Sequence, residues 1–248
     1  MKSLFSSFFL LVFCWAVPVQ AGNTPVANPS AVVRYSDVRF TILTPGLIRM
    51  EWNAAGTFED QASLLYLNRD LPVPRYSKSE KDWYLIIQTE KLELRYRLGS
   101  GRFTVQNLQI SLRDGQDRID WKPGDKNAGN LKGTYRTLDG CNGALHVEDQ
   151  KEIILGDGLI STDGWYLSDD SANLLFDGSE WSWVQPRPAG DRQDWYFFGY
   201  GRDYKGALYD FTQVAGKIPL PPRFAFGYWW SRYWNYSDRE LRELVANL

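Results

Sequence analysis

Lys91-Leu92-Glu93-Leu94-Arg95-Tyr96-Arg97-Leu98 sets four apolar side chains against four charged ones in strict alternation. Successive side chains of a strand leave opposite faces, so a period of two predicts an antiparallel strand with one dry and one wet face. Leu108, Ile110 and Leu112 alternate again just downstream. Upstream, residues 46 to 53 place Ile48, Met50 and Trp52 on one face and Arg49, Glu51 and Asn53 on the other, which predicts a second half-buried strand. Asp-Gly, the favoured tight-turn dipeptide, occurs at Asp114, Asp139, Asp157, Asp163 and Asp177, each between candidate strands. Short strands at this spacing mean a sandwich or a barrel. No internal repeat and no low-complexity tract interrupts them.

The character of the chain changes after about residue 200. Tyr204, Leu208 and Phe211, with Ala207 and Val214 on the adjoining side, recur at helical spacing and predict a short helix near 203–214. Gly216-Lys217-Ile218-Pro219-Leu220-Pro221-Pro222 then reads as a stiff linker and a domain boundary. Residues 224 to 230 are apolar throughout, like a strand buried on both faces of a parallel sheet. Ser237-Asp238-Arg239-Glu240 is a capping box, opening a helix whose stripe is Leu241, Leu244, Val245 and Leu248. The expected organisation is a β-sandwich domain over 22–216, then a linker and one β/α unit over 217–248. A single β/α unit cannot close a parallel sheet or cover its own helix face, so further units are expected after Leu248.

Residues 1–21 carry Lys2, an apolar run broken only by small residues, and Val19-Gln20-Ala21, the layout of a secretory signal peptide. The run is shorter than the roughly 20 residues of a spanning helix, and Pro18 closes it. A lipid anchor at Cys14 is disfavoured by bulky Phe13 and Trp15. Export to the periplasm or the extracellular space is the expectation, with no membrane contact beyond the signal. Cleavage after Ala21 leaves Cys141 as the only cysteine beside the only histidine, His146, which excludes an internal disulfide and a Cys/His metal site. No cofactor is expected. Lys and Arg number 28 against 30 Asp and Glu, a balance that points away from nucleic acid. Eleven Trp and an aromatic content of 15% point to ring surfaces suited to the apolar faces of sugars, although a large sandwich buries many of them as core.

One stretch carries a resemblance: Pro219-Leu220-Pro221-Pro222-Arg223-Phe224-Ala225-Phe226-Gly227-Tyr228-Trp229-Trp230-Ser231-Arg232-Tyr233-Trp234-Asn235-Tyr236. It resembles the start of the catalytic barrel in glycoside hydrolase family 31. Asn130-Leu131-Lys132-Gly133-Thr134-Tyr135-Arg136-Thr137-Leu138-Asp139-Gly140, residues 157–165 and Asp194-Trp195-Tyr196-Phe197-Phe198-Gly199 resemble members with α-glucosidase or α-xylosidase activity. The resemblance implies a galactose-mutarotase-like antiparallel sandwich packed on a (β/α)8 barrel, and retaining hydrolysis of α-glycosidic bonds by two aspartates on the fourth and sixth barrel strands. No position here corresponds to either aspartate, so no catalytic residue is assigned and this chain alone is expected to be inactive. The implied partners are an α-linked oligo- or polysaccharide and the downstream barrel.

Sugar-contacting candidates are Tyr233 and Tyr236, with Arg232 behind them, at the tip of the first barrel strand; capping the barrel mouth is the bland alternative. Asp163, in the loop of residues 161–164, resembles the sandwich residue that reaches the leaving-group sugar in related enzymes; the turn aspartate before Gly164 is the bland alternative. Asp169 and Asp170 are adjacent and would point to opposite faces of a strand, which argues against a shared sugar. Asp177-Gly178-Ser179-Glu180 has too few spaced oxygen ligands for a calcium loop. A stand-alone carbohydrate-binding sandwich is the alternative function, and a broken gene a third.

Overall fold

The computed structural model describes residues 23–115, 117–133, 155–179, 182–218, 220–227 and 232–247. Residues 1–21, read above as a signal peptide, and Cys141, His146 and residues 228–230 lie outside them. The chain divides into two compact units, one through Gly216 and one from Lys217.

Among its described residues the first unit contains β1 (Val32–Arg34), β2 (Val38–Thr44), β3 (Leu47–Asn53), β4 (Tyr76–Lys81), β5 (Tyr84–Thr89), β6 (Leu92–Arg97), β7 (Leu108–Asp114), β8 (Asp117–Trp121), β9 (Trp165–Asp169), β10 (Leu175–Phe176), β11 (Val184–Gln185), β12 (Arg192–Gly199) and helix α1 (Tyr204–Ala215). They form two five-stranded sheets, ordered β1-β2-β3-β12-β9 and β4-β5-β6-β7-β8, plus a small β10-β11 ribbon. Every pairing in the two large sheets is antiparallel.

The second sheet is a meander whose patterning follows the sequence. In β6 the side chains of Leu92, Leu94 and Tyr96 are buried, while Arg95 and Arg97 stay in solvent. β7 buries Leu108, Ile110 and Leu112. These dry faces meet Phe40, Ile42, Ile48 and Met50 from β2 and β3 in one core. Phe40 and Tyr96 bridge the sheets with ring centroids 5.6 Å apart. β12, late in the chain, inserts between β3 and β9 and sends Phe197 into the same core, 4.9 Å from the Trp121 ring. Each fully buried side chain of this size contributes about 1.5–3 kcal/mol through apolar burial.

The opposite face of the first sheet departs from expectation. Arg49 and Glu51 were predicted on a wet face, yet they are 1% and 3% exposed. A second core covers that face, built from Leu47, Tyr66, Tyr196, Phe198, Ala207 and Val214. Alternation reports chemical type, and here a second layer of chain covers the polar side, which then has to satisfy its charges internally. Helix α1 begins where predicted, its Asp203 cap accepting from the Gly206 amide. Its buried stripe runs through Ala207 and Val214 with Phe211 beside them, whereas Leu208 faces solvent.

Two hairpins contrast in turn chemistry. The β7-β8 hairpin turns at the predicted Asp114-Gly115, one residue late: Asp114 still pairs with Asp117 and the turn starts at Gly115, φ 65°. The β4-β5 turn uses Asp82 and Trp83 at φ 52° and 68°, left-handed positions that ordinarily favour Asn and Gly.

In the second unit Arg223–Phe226 is a short 3-10 helix, which corrects the expected strand start. The Ala225 and Gly227 amides bond to the carbonyls of Pro222 and Phe224. A strand needs a ladder partner for its amides; none occurs among the described residues of this unit, and the tight turn satisfies the backbone locally. Helix α2 (Asp238–Ala246) starts at the predicted capping box, with Ser237 Oγ accepting from Glu240 N–H and the Glu240 carboxylate accepting from Ser237 N–H at 2.8 Å. Its apolar residues Leu241 and Val245 are exposed.

Leu94→Ala should cost about 2–5 kcal/mol by leaving a cavity between the sheets, whereas Arg97→Ala should change stability by no more than about 0.5 kcal/mol. Urea unfolding of the two variants checks this, and equal costs would contradict the one-sided burial.

Candidate functional site

The covered face of the first sheet holds a chain of ion pairs. Arg39 donates to both Glu51 oxygens, Nε to Oε2 at 2.6 Å and Nη2 to Oε1 at 2.9 Å. Glu51 also meets Arg49 Nη2 at 3.1 Å. Arg49, on β3, is bidentate to Asp194 of the adjacent β12, with Nε and Nη2 donating at 2.8 and 2.7 Å. Arg187 closes the series, donating through Nη1 to Asp194 at 3.1 Å and through Nη2 to Asp170 at 2.6 Å. Ser63 and Asn173 donate to the other Asp170 oxygen. Arg69 continues the layer, donating to the Tyr196 hydroxyl at 2.6 Å and to the Pro25 and Gln61 carbonyls.

Burial raises the pKa of Asp194, but the charge and hydrogen bonds of Arg49, with Arg187 and Arg69, outweigh it and hold the group down to about 2. Asp170 moves the other way: burial and the neighbouring Asp194 charge raise it, against the hold of Asn173, Arg187 and Ser63. Asp170 and Asp194 are thus two buried carboxylates bridged by one guanidinium and closed to solvent. Their chemistry is that of a charged clamp, not of an acid and a nucleophile meeting a sugar. A cleft of about 240 Å³ lies alongside, lined by Trp52, Phe58, Gly190 and the rims of Glu51, Arg187 and Asp194. The clamp is not legible in the local pattern: Arg49 and Glu51 read as solvent-facing, and the residues around Arg187 carry no sign of its partners. The available signal was charge of both signs placed within aromatic strands, at Arg49-Met50-Glu51-Trp52 and Asp194-Trp195-Tyr196.

Asp163 sits in a tight loop before β9. Its Oδ2 accepts from the Gly129 amide at 2.8 Å, its own amide donates to Ser161 Oγ, and Gly164 follows at φ 80°. Asn130 bridges the neighbouring strand of this loop, exchanging hydrogen bonds with both the amide and the carbonyl of Gly158. The Asp157-Gly158 pair therefore clasps a loop and does not turn a hairpin. Asp169 and Asp170 do diverge: Asp169 accepts from Ser171 in solvent, while Asp170 is wholly buried. Asp177 organises its own turn, accepting from the amides of Ser179 and Trp183.

Arg232, Tyr233 and Tyr236 belong to the second unit and Asp163 to the first. Tyr233 is fully exposed at 105%, and the Arg232 guanidinium lies 4.7 Å from the centre of the Trp234 ring. Tyr236 is half-buried, its amide bonded to the Trp234 carbonyl.

The first unit is, by fold, a two-layer antiparallel sandwich stiffened by a buried charge layer. No family model matches the chain. Alpha-glucosidase 2 of Bacillus thermoamyloliquefaciens is 40% identical over 56 residues, 23% of this chain and 7% of that enzyme. Among solved structures, a GH31 dextranase of Flavobacterium johnsoniae complexed with isomaltotriose has a TM-score of 0.47 at 18% identity, over 84% of this chain and 30% of that one. A GH31 α-xylosidase from a soil metagenome, complexed with xylose, has a TM-score of 0.44 at 10% identity, over 79% and 35%. The chain thus spans less than half the length of the proteins it is similar to. The dextranase and the α-xylosidase carry the name of the family, glycoside hydrolase family 31, that the sequence resembles.

The charge layer makes two predictions for stability. Asp194→Asn leaves the buried Arg49 and Arg187 short of a counter-charge and should cost about 3–5 kcal/mol. A carboxylate held below its ordinary value stabilises the fold above its unfolded pKa and loses that contribution as pH falls through the folded one. The Asp194 contribution should therefore disappear between pH 3.8 and about 2. Urea midpoints followed over that window should fall steeply in the parent and less in Asp194→Asn; parallel curves would refute the assignment.

Proposed function

We propose that this chain is the amino-terminal part of an exported, retaining α-glycoside hydrolase of the α-glucosidase or α-xylosidase class. The observation that carries the reading is the 40% identity over 56 residues to an α-glucosidase. The family motifs quoted from Asn130, Asp157, Asp194 and Pro219 onward support it. In that reading the sandwich is a rigid platform, and the charge clamp fixes its first sheet so that loops at its rim keep their positions.

Hydrolysis with retention needs two carboxyl groups about 5–5.5 Å apart, one ionised and one kept protonated. The buried pair here, Asp170 and Asp194, is held by Arg49 and Arg187 and inaccessible, so it does not supply them. The nucleophile and the acid come from barrel strands further along the protein, and α2 packs its apolar stripe of Leu241 and Val245 on neighbouring barrel helices. Tyr233 and Tyr236 border the sugar of the cleaved residue, with Arg232 beside them, and Asp163 stands near the leaving-group sugar. The leader of residues 1–21 delivers the enzyme to the periplasm or the medium, where it meets α-linked oligo- or polysaccharide.

The full reading frame, expressed and purified, should hydrolyse aryl α-glucosides or α-xylosides with retention of anomeric configuration by proton NMR. Tyr233→Ala should lower kcat/KM about tenfold, the loss of about 1.4 kcal/mol of transition-state binding. The 248-residue chain by itself should give no turnover. Turnover by that chain above a heat-treated control would overturn the assignment of the reacting groups to the downstream barrel.

A further inference from the structure

We propose that the β4-β5 hairpin tip and the groove beside it, on the outer face of the second sheet, form a secondary binding site for an α-glucan chain, separate from any reaction centre. The choice of a glucan as the ligand rests on the functional reading above; the site itself rests on the following geometry.

Trp83 is 81% exposed at the tip of the hairpin. Both turn residues, Asp82 and Trp83, occupy left-handed backbone conformations, at φ 52° and 68°. For a bulky side chain this is a costly place, tolerated where the surroundings enforce it. Here they do: Lys81 pairs with Tyr84 across the turn, and the Leu98 amide donates to the Trp83 carbonyl at 2.9 Å. The indole, exposed as it is, gains little packing in return. A Gly at this position would relax the turn, and the proposed ligand gives the ring its contact. What the fold presents is a planar apolar ring with one N–H edge, fixed on a hydrogen-bonded hairpin and open to solvent, which matches the apolar face of a pyranose and its flanking hydroxyls.

The adjoining surface completes the match. A groove of about 280 Å³ is lined by Tyr84, Arg95, Gln106, Gln109 and Lys122, among others. Arg95 and Gln109 stand opposite one another in the β6-β7 register, and the Arg95 guanidinium lies 5.3 Å from the centre of the Tyr84 ring. Carboxamides and cationic donors at spaced positions suit neutral hydroxyls. Two cations among amides are too sparse for a polyanion, and the groove has too little apolar lining for a lipid or a hydrophobic helix. The second sheet supplies a firm base: its inner face is locked in the sandwich core, so the backbone that carries the outer side chains is set before a ligand arrives.

Native electrophoresis of the full-length protein through gels containing dextran or soluble starch tests the proposal, with hydrolysis of an aryl α-glycoside followed in parallel. The parent should be retarded by one of these polymers. Trp83→Ala and Gln109→Ala should each weaken binding at least about fivefold, with kcat/KM on the aryl substrate unchanged. Trp183→Ala, which removes another exposed indole outside the groove, should be retarded like the parent. The double variant Asp82→Asn/Trp83→Gly should lose retardation while melting no lower than the parent, which separates the side chain's role from turn integrity. Retardation of Trp83→Ala equal to that of the parent overturns the site. A parent that hydrolyses the aryl substrate but is not retarded also overturns it and leaves the glycosidase reading standing; failure of both measurements overturns both.

Discussion

The bidentate pair of Arg49 and Asp194 is the contact on which the first sheet depends. It joins β3 to β12, strands separated by most of the domain in sequence, and it sits on the face that α1 and the segment around Tyr66 must cover. A guanidinium and a carboxylate taken out of water are tolerated only when geometry is good and the remaining donors and acceptors are occupied. The series from Arg39 through Glu51, Arg49, Asp194 and Arg187 to Asp170 meets that condition by alternating sign along its length. Its opposing effects on the two aspartates follow directly: Asp194 touches two guanidiniums and is held down, whereas Asp170 touches one and feels Asp194 beside it.

This layer also explains the asymmetry of the sandwich. The first sheet is covered on both sides, by the intersheet core and by the second core under α1. The second sheet is covered on one side, and its outer face keeps Arg95, Arg97 and Arg118 in solvent. Rigid support therefore lies behind the described loops at the rim of the first sheet that carry the clasp of Asn130 on Gly158 and the Asp163 turn. The second sheet is left with a free surface.

The fates of the tryptophans show the same division. Trp121 and Trp165 pack with Phe197 as core, while Trp83, Trp183 and Trp234 stand in solvent. Composition alone reports an excess of rings and cannot say which ones are structural, because burial depends on which strand lies opposite.

Local chemistry sufficed where a residue's role is decided by its near neighbours in sequence. The alternation of residues 91–98 determined a half-buried strand, Asp114-Gly115 a tight hairpin, Asp203 the start of α1, and Ser237 with Glu240 the cap of α2. Each of these rests on side-chain period or on hydrogen bonds a few residues long, and such interactions form in much the same way whatever the rest of the chain does. Tertiary structure decided everything that depends on a distant partner. Arg49 and Glu51 read as solvent-facing because their alternation carries no information about a second layer; burial came from α1 and Tyr66, and their counter-charges from Asp194 and Arg39. The aromatic run after Pro222 read as a strand from its composition, yet Arg223–Phe226 is a turn, because apolar side chains make a strand only where another strand offers its backbone.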